Sequence, residues 1–230
     1  MNKLHDGVPI QILVDEKLFL KDPNSSDVGL RIIEHGIQLM DEIGFESFTF
    51  RKLADRIGTT EPTIYRYFRG KHRLLLYLTS WYWSWMEYRV HVATSNVTAP
   101  DDRLRNALEA LTQPIHADDV TPHIDEAALY RIVVAESSKV YLNKLVAAEN
   151  REGLFRSYKR LCRRVAEMIS AVNPVYAYPV ALVSTVVESS HVQKYFAEHL
   201  PSLTEVTHLD ADHSTTVFLT EMVFRTIGAT

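Results

Sequence analysis

Between Ser47 and Arg73 this 230-residue chain places seven basic side chains, Arg51, Lys52, Arg56, Arg66, Arg69, Lys71 and Arg73, against two carboxylates, Asp55 and Glu61. Interleaved with them are Thr49, Thr60, Thr63, Tyr65 and Tyr67, whose hydroxyls can donate or accept hydrogen bonds. Guanidinium and ammonium groups neutralise phosphates, and hydroxyls fix the register of a sugar–phosphate backbone. The chain as a whole is acidic, with 25 Lys+Arg against 29 Asp+Glu and a net charge of −4. A compact basic segment on an acidic body approaches phosphates at one place only. A solvated basic helix surface is the competing reading, and charge alone does not separate the two.

These residues need short helices to present them. Apolar residues Leu30, Ile33, Ile37 and Met40 predict a first helix over about 28–43, stopped by Gly44. A second covers Thr49 to Ile57, with Thr49 as its N-cap and Phe50, Leu53, Ala54 and Ile57 inward. Gly58 ends it. A third runs over Glu61 to Phe68, with Thr60 placed to cap it and Pro62 in its first turn. At 100° per residue, Ile64 and Phe68 share its inner face, leaving Pro62, Thr63 and Arg66 opposite and Tyr65 and Tyr67 on the flanks. Two short helices joined by Gly58-Thr59-Thr60 form a helix-turn-helix by length and punctuation. A longer helix follows over Lys71 to Ala93, then helical patterns near 101–118, 125–144, 149–172, 178–200 and 212–228. The expectation is an all-α chain of about nine helices: a three-helix unit, a larger bundle, and a short extended segment before residue 28.

The wording from Phe48 to Leu75, above all Thr63-Ile-Tyr-Arg-Tyr-Phe68 followed by Gly70-Lys71 and Leu74-Leu75, resembles the DNA-binding domain of the TetR family of regulators. The likeness covers roughly residues 28–75. Pro62 departs from it, standing where a small residue is common, and so do His72 and Arg73, which replace acidic residues and add positive charge. The resemblance implies a helix-turn-helix DNA-binding domain (28–73) and an effector-binding, dimerising domain (74–230); the extension before them (1–27) is not a general feature of the family. It implies that Thr49 caps the second helix against a phosphate, with the nearby Arg51 in the same contact set. Thr60, Tyr65, Tyr67 and Lys71 would hold the backbone, and Thr63, Arg66 and Glu61 would reach bases. The expected function is a transcriptional regulator, a repressor released from a near-palindromic double-stranded operator by a small, mostly apolar effector.

The rest of the chain is less explicit. Trp83, Tyr130, Tyr158, Cys162 and His191 are candidates to line an effector cavity. Val183, Val187, Phe218, Met222 and Phe224 lie on helices apolar on several faces, which suits a homodimer interface. Glu136, Glu188 and His191, in otherwise apolar helices, are either satisfied core polar groups or effector contacts. Without a Gly-rich loop or a Cys/His cluster, neither catalysis nor a cofactor or metal is expected. The single cysteine, Cys162, and the lack of a signal-like N-terminus suggest a cytoplasmic protein. No uncharged apolar run approaches the roughly 20 residues of a membrane span. A helical interaction module without a DNA role is the alternative from another class.

Overall fold

The computed structural model describes residues 12–113, 121, 123–206 and 210–228; residues 1–11 of the expected extension (1–27) and the end of the helix expected at 101–118 lie outside them. Ten α-helices appear among these residues: α1 (Asp27–Ser47), α2 (Phe50–Ile57), α3 (Glu61–Tyr65), α4 (Lys71–Thr94), α5 (Pro100–Thr112), α6 (Glu126–Tyr141), α7 (Val146–Glu152), α8 (Arg156–Val172), α9 (Pro179–His199) and α10 (Ala211–Thr226). No strand occurs among the described residues.

The helix ends follow the local chemistry. Gly44 turns out of the helical region at φ 73°, breaking α1 before a last turn that ends at Ser47. The left-handed Gly58 closes α2. Residues 149–172, read from sequence as one helix, are two, because Gly153 at φ 89° ends α7. Upstream of α1 the chain makes two 3-10 turns, Glu16–Leu18 and Pro23–Ser25, instead of an extended run. The carboxylates of Asp15 and Asp22 accept the amide hydrogens of Lys17 and Asn24 and bend the backbone at each turn.

Packing divides the chain into two units. The first holds residues to Ser84, with α1 to α3, the N-terminal part of α4, α6 and α7. The second holds the remainder of α4 with α5, α8, α9 and α10. By packing, the helix-turn-helix therefore sits in a larger unit than the segment 28–73. Ile32, Ile37, Phe48, Leu53, Ile64, Phe68, Leu74 and Leu78 form its buried centre. The helix α6 packs along α1. There Arg131 grips Asp41 in a two-pronged pair (2.9 and 2.6 Å), and the buried Glu136 accepts the Phe45 N–H at 3.2 Å and pairs with Lys139 at 2.6 Å. Glu136 is thus a satisfied structural group at the Gly44 break. In the second unit, α9 and α10 pack on each other and on α5.

Candidate nucleic-acid interface

The positions of α2 and α3 are set by capping and by one shared core. Thr49 accepts the Lys52 N–H at 3.2 Å, as an N-cap should. At the far end of α2 the Arg31 guanidinium donates to the Ile57 carbonyl. The Thr59 N–H reaches back to the Ala54 carbonyl (2.9 Å), closing the turn. Thr60 holds the N-cap position of α3, but its hydroxyl bonds that of Thr63 at 2.9 Å and not a backbone amide. The helix itself is only five residues long. Its last carbonyls are taken up by tighter turns through Arg66, Tyr67 and Phe68, because Gly70 and the next helix follow at once.

Ile64 and Phe68 are fully buried, as their spacing predicts. Arg51, Thr60, Tyr65 and Arg66 stand exposed, and Glu61 and Thr63 are half-buried beside them. The Tyr65 ring meets Phe50 edge-on at 5.0 Å, which fixes its direction while leaving it 46% exposed. Arg51, Arg66 and Arg69 make no hydrogen bond and no ion pair among the described residues, and all three are exposed. Arg69 is a cation that the face count over Glu61 to Phe68 omits, because it falls one residue beyond the expected helix. Arg56, by contrast, is neutralised by Glu42 through bonds of 2.6 and 2.7 Å. Those bonds hold the Glu42 carboxyl below its usual range.

Two of the expected backbone contacts have internal partners. Tyr67 is only 4% exposed; its hydroxyl bonds Ser26 at 2.8 Å and accepts from Lys21 at 3.2 Å, and its carbonyl accepts the Leu20 N–H at 2.7 Å. Hydrogen bonding with Ser26, ahead of the Lys21 charge, pulls the phenol below its ordinary range. The segment before α1 is therefore a brace on the residue just after α3. Phe19 and Phe68 extend it, packing edge-on against Tyr77 at 6.2 and 5.4 Å. Lys71 donates to the carbonyls of Phe45, Glu46 and Phe48 at 2.9, 3.0 and 3.2 Å, so its three donors are all used on the broken end of α1. Nor do His72 and Arg73 add free charge, since they lie 2.8 and 3.5 Å from Glu149 and Glu152.

The other sequence candidates are dispersed. Trp83 and Tyr130 belong to the first unit, and Tyr158, Cys162 and His191 to the second. Trp83 is 2% exposed, as deep as Trp81 and Trp85, and donates to the Tyr141 hydroxyl at 2.5 Å. The tryptophan cluster has no outward side because α4 is buried all round from Leu74 to Trp83. In the second unit burial pushes the Cys162 thiol up to about 11 and the His191 imidazole down to about 4. Glu188-Ser-Ser-His191 has a Glu-x-x-His spacing, yet among the described residues no three His, Cys, Asp or Glu side chains gather at a possible metal site. Of the dimer candidates, Val183, Val187 and Phe224 are buried inside their own unit. Phe218 is 45% exposed and Met222 half-buried. Val180, Val192 and Tyr195 of α9 and Val217 of α10 are further exposed apolar residues on this helix pair.

Residues 32–78 match the family model of the bacterial regulatory proteins, tetR family. Tetracycline repressor protein class G of Vibrio anguillarum is 41% identical over 44 residues, which are 19% of this chain and 21% of that protein. The likeness thus spans about a fifth of the curated relatives. Among solved structures, a bacterial regulatory protein in the tetR family from Rhodococcus RHA1 superposes with a TM-score of 0.60 at 17% identity, over 89% of this chain and 99% of that one. AibR in complex with isovaleryl coenzyme A and operator DNA gives 0.58 at 13% identity, over 91% of this chain and 100% of that one. The superantigen PfiT gives 0.57 at 14%, over 89% and 97%. At these identities the likeness is one of fold, and function has to be argued from the site.

Proposed function

We propose that the chain, whose residues 32–78 match the tetR family model, is a homodimeric, sequence-specific transcriptional regulator that reads duplex DNA with α2 and α3. The observation that carries this reading is the set of exposed, unpaired guanidiniums of Arg51, Arg66 and Arg69 around the hydroxyls of Thr60, Thr63 and Tyr65. Arg66 and Thr63 read base edges, with Glu61 beside them, while Arg51, Arg69, Tyr65 and Thr60 hold phosphates. Thr49 serves at the phosphate as the cap of α2. Tyr67 and Lys71 position these elements without touching DNA.

Two copies associate through the outer faces of α9 and α10, around Val192, Tyr195, Val217 and Phe218. Two-fold symmetry then sets the recognition helices about 34–36 Å apart and makes the operator near-palindromic. The protein acts as a repressor, and the second unit binds the small molecule that releases it from DNA. AibR, which shares the fold, was seen in complex with both isovaleryl coenzyme A and operator DNA, which supports a protein that binds a small molecule as well as DNA. The composition favours a mostly apolar effector. Selection of duplexes from a random pool tests the reading. It predicts one near-palindromic consensus bound by a dimer in light scattering; enrichment of no sequence would reject it.

A further inference from the structure

The second unit contains a cleft of about 410 Å³ lined by Glu87 of α4, Thr98 and Pro100 at the start of α5, Arg103 of α5, and Arg160, Arg163, Arg164, Glu167, Met168 and Ala171 of α8. Its size is that of a small-molecule site, but its wall is cationic: four arginines face two glutamates. Glu87 is already shared, with Arg160 Nε at 3.0 Å and Arg164 Nη2 at 3.6 Å. Arg103 and Arg163 come from different helices to the same cleft, and neither has a hydrogen bond or ion pair among the described residues. Arg164 Nε is closed off from solvent and has no hydrogen-bond partner. A shielded guanidinium N–H without an acceptor is rare in a folded protein. On the same cleft, α5 begins at Pro100 behind Ala99, an N-cap that offers no side-chain acceptor to the first amides.

We propose that this cleft is a binding site for a small molecule carrying at least two negatively charged oxyanion groups, phosphate or carboxylate. Arg103 and Arg163 would clamp the charge from two sides, each guanidinium offering parallel N–H donors to one oxyanion. Met168, Ala171 and Pro100 supply an apolar strip for the carbon skeleton between the charged groups. Arg103 and Arg163 are exposed, but both line the same concavity and neither has a carboxylate partner among the described residues. The site goes beyond the regulatory reading and does not depend on DNA binding.

Calorimetric titration of the full chain at physiological salt, with inorganic pyrophosphate in one arm and citrate in the other, tests the proposal. One saturable site per chain is expected for at least one of the two, and the tighter arm identifies the oxyanion. Arg103→Gln and Arg163→Gln should each weaken it about tenfold or more, the loss of charge-assisted bonds. Arg105→Gln, on the same helix but outside the cleft, should leave it unchanged. DNA binding measured on the same variants separates failure of this site from failure of the regulatory reading. Absence of saturable binding to either anion would overturn the proposal. So would equal weakening by Arg105→Gln, or displacement of the anion by duplex DNA.

Discussion

The segment from Thr49 to Arg73 and the arginine-lined face of α8 are both basic, and they use their charge differently. In the first, cations fall into two groups: Lys52, Lys71, Arg56 and Arg73 are tied to carbonyls or carboxylates, and Arg51, Arg66 and Arg69 are left without partners on an exposed surface. On α8 the unpartnered Arg163 lines a cleft. An exposed helix pair bearing free guanidiniums suits the groove of an extended polyanion, whereas a concavity suits a small one. Charge count does not distinguish these cases; the partners of each cation do.

The largest effect expected in the first region is structural. Phe68→Ala removes a fully buried ring from beneath α3 and should cost about 3–5 kcal/mol of stability, seen as a lower urea midpoint. An unchanged midpoint would mean that α3 is not anchored by this core.

In the second unit, on α9, a comparable effect is chemical. His191 stays neutral in the native protein down to about pH 4, while the unfolded chain takes up its proton near pH 6.5. Its folded value is lowered, so stability is fully present above pH 6.5 and is lost as pH falls towards 4. The loss approaches about 3 kcal/mol. Urea midpoints measured across that window should fall in the wild type more than in His191→Phe; parallel curves would contradict it.

A smaller effect belongs to the brace. Ser26→Ala removes a bond to the Tyr67 hydroxyl together with the N-cap of α1 on the Gly29 N–H, and should cost about 1–2 kcal/mol without changing the contacts available to DNA. Hydrogen exchange at Leu20, whose amide donates to the Tyr67 carbonyl, should accelerate in the variant. Unaltered exchange there would mean that the hydroxyl network does not hold the segment down.

Much of this region was legible in the sequence. Gly44 and Gly58 mark the ends of their helices because left-handed backbone is open to glycine. Ile64 and Phe68 fall inward because helical spacing puts them on one face. What could not be read were the tertiary partners of the polar residues. Tyr67 meets Ser26, Lys71 meets the carbonyls around Phe45, and His72 meets Glu149, each 23 or more positions away. No local pattern encodes such pairings. The same limit applies to α9 and α10: an apolar residue count shows that several faces are buried, but not which of them faces its own unit. Val183, Val187 and Phe224 are taken up internally, and Val192, Tyr195, Val217 and Phe218 remain outside.

The most direct test sets the free cation against the tied one. Salt-titrated binding to the selected operator and to scrambled duplex should be measured for Arg66→Ala and Lys71→Ala, each checked for folding. Arg66→Ala should lose about 1–3 kcal/mol on the operator alone, relaxing preference at particular base pairs. Lys71→Ala should lower stability and leave the salt slope as it is, because its ammonium faces carbonyls and not phosphate. A slope reduced by about one unit in Lys71→Ala, with sequence preference intact in Arg66→Ala, would contradict the assignment of the DNA-reading surface.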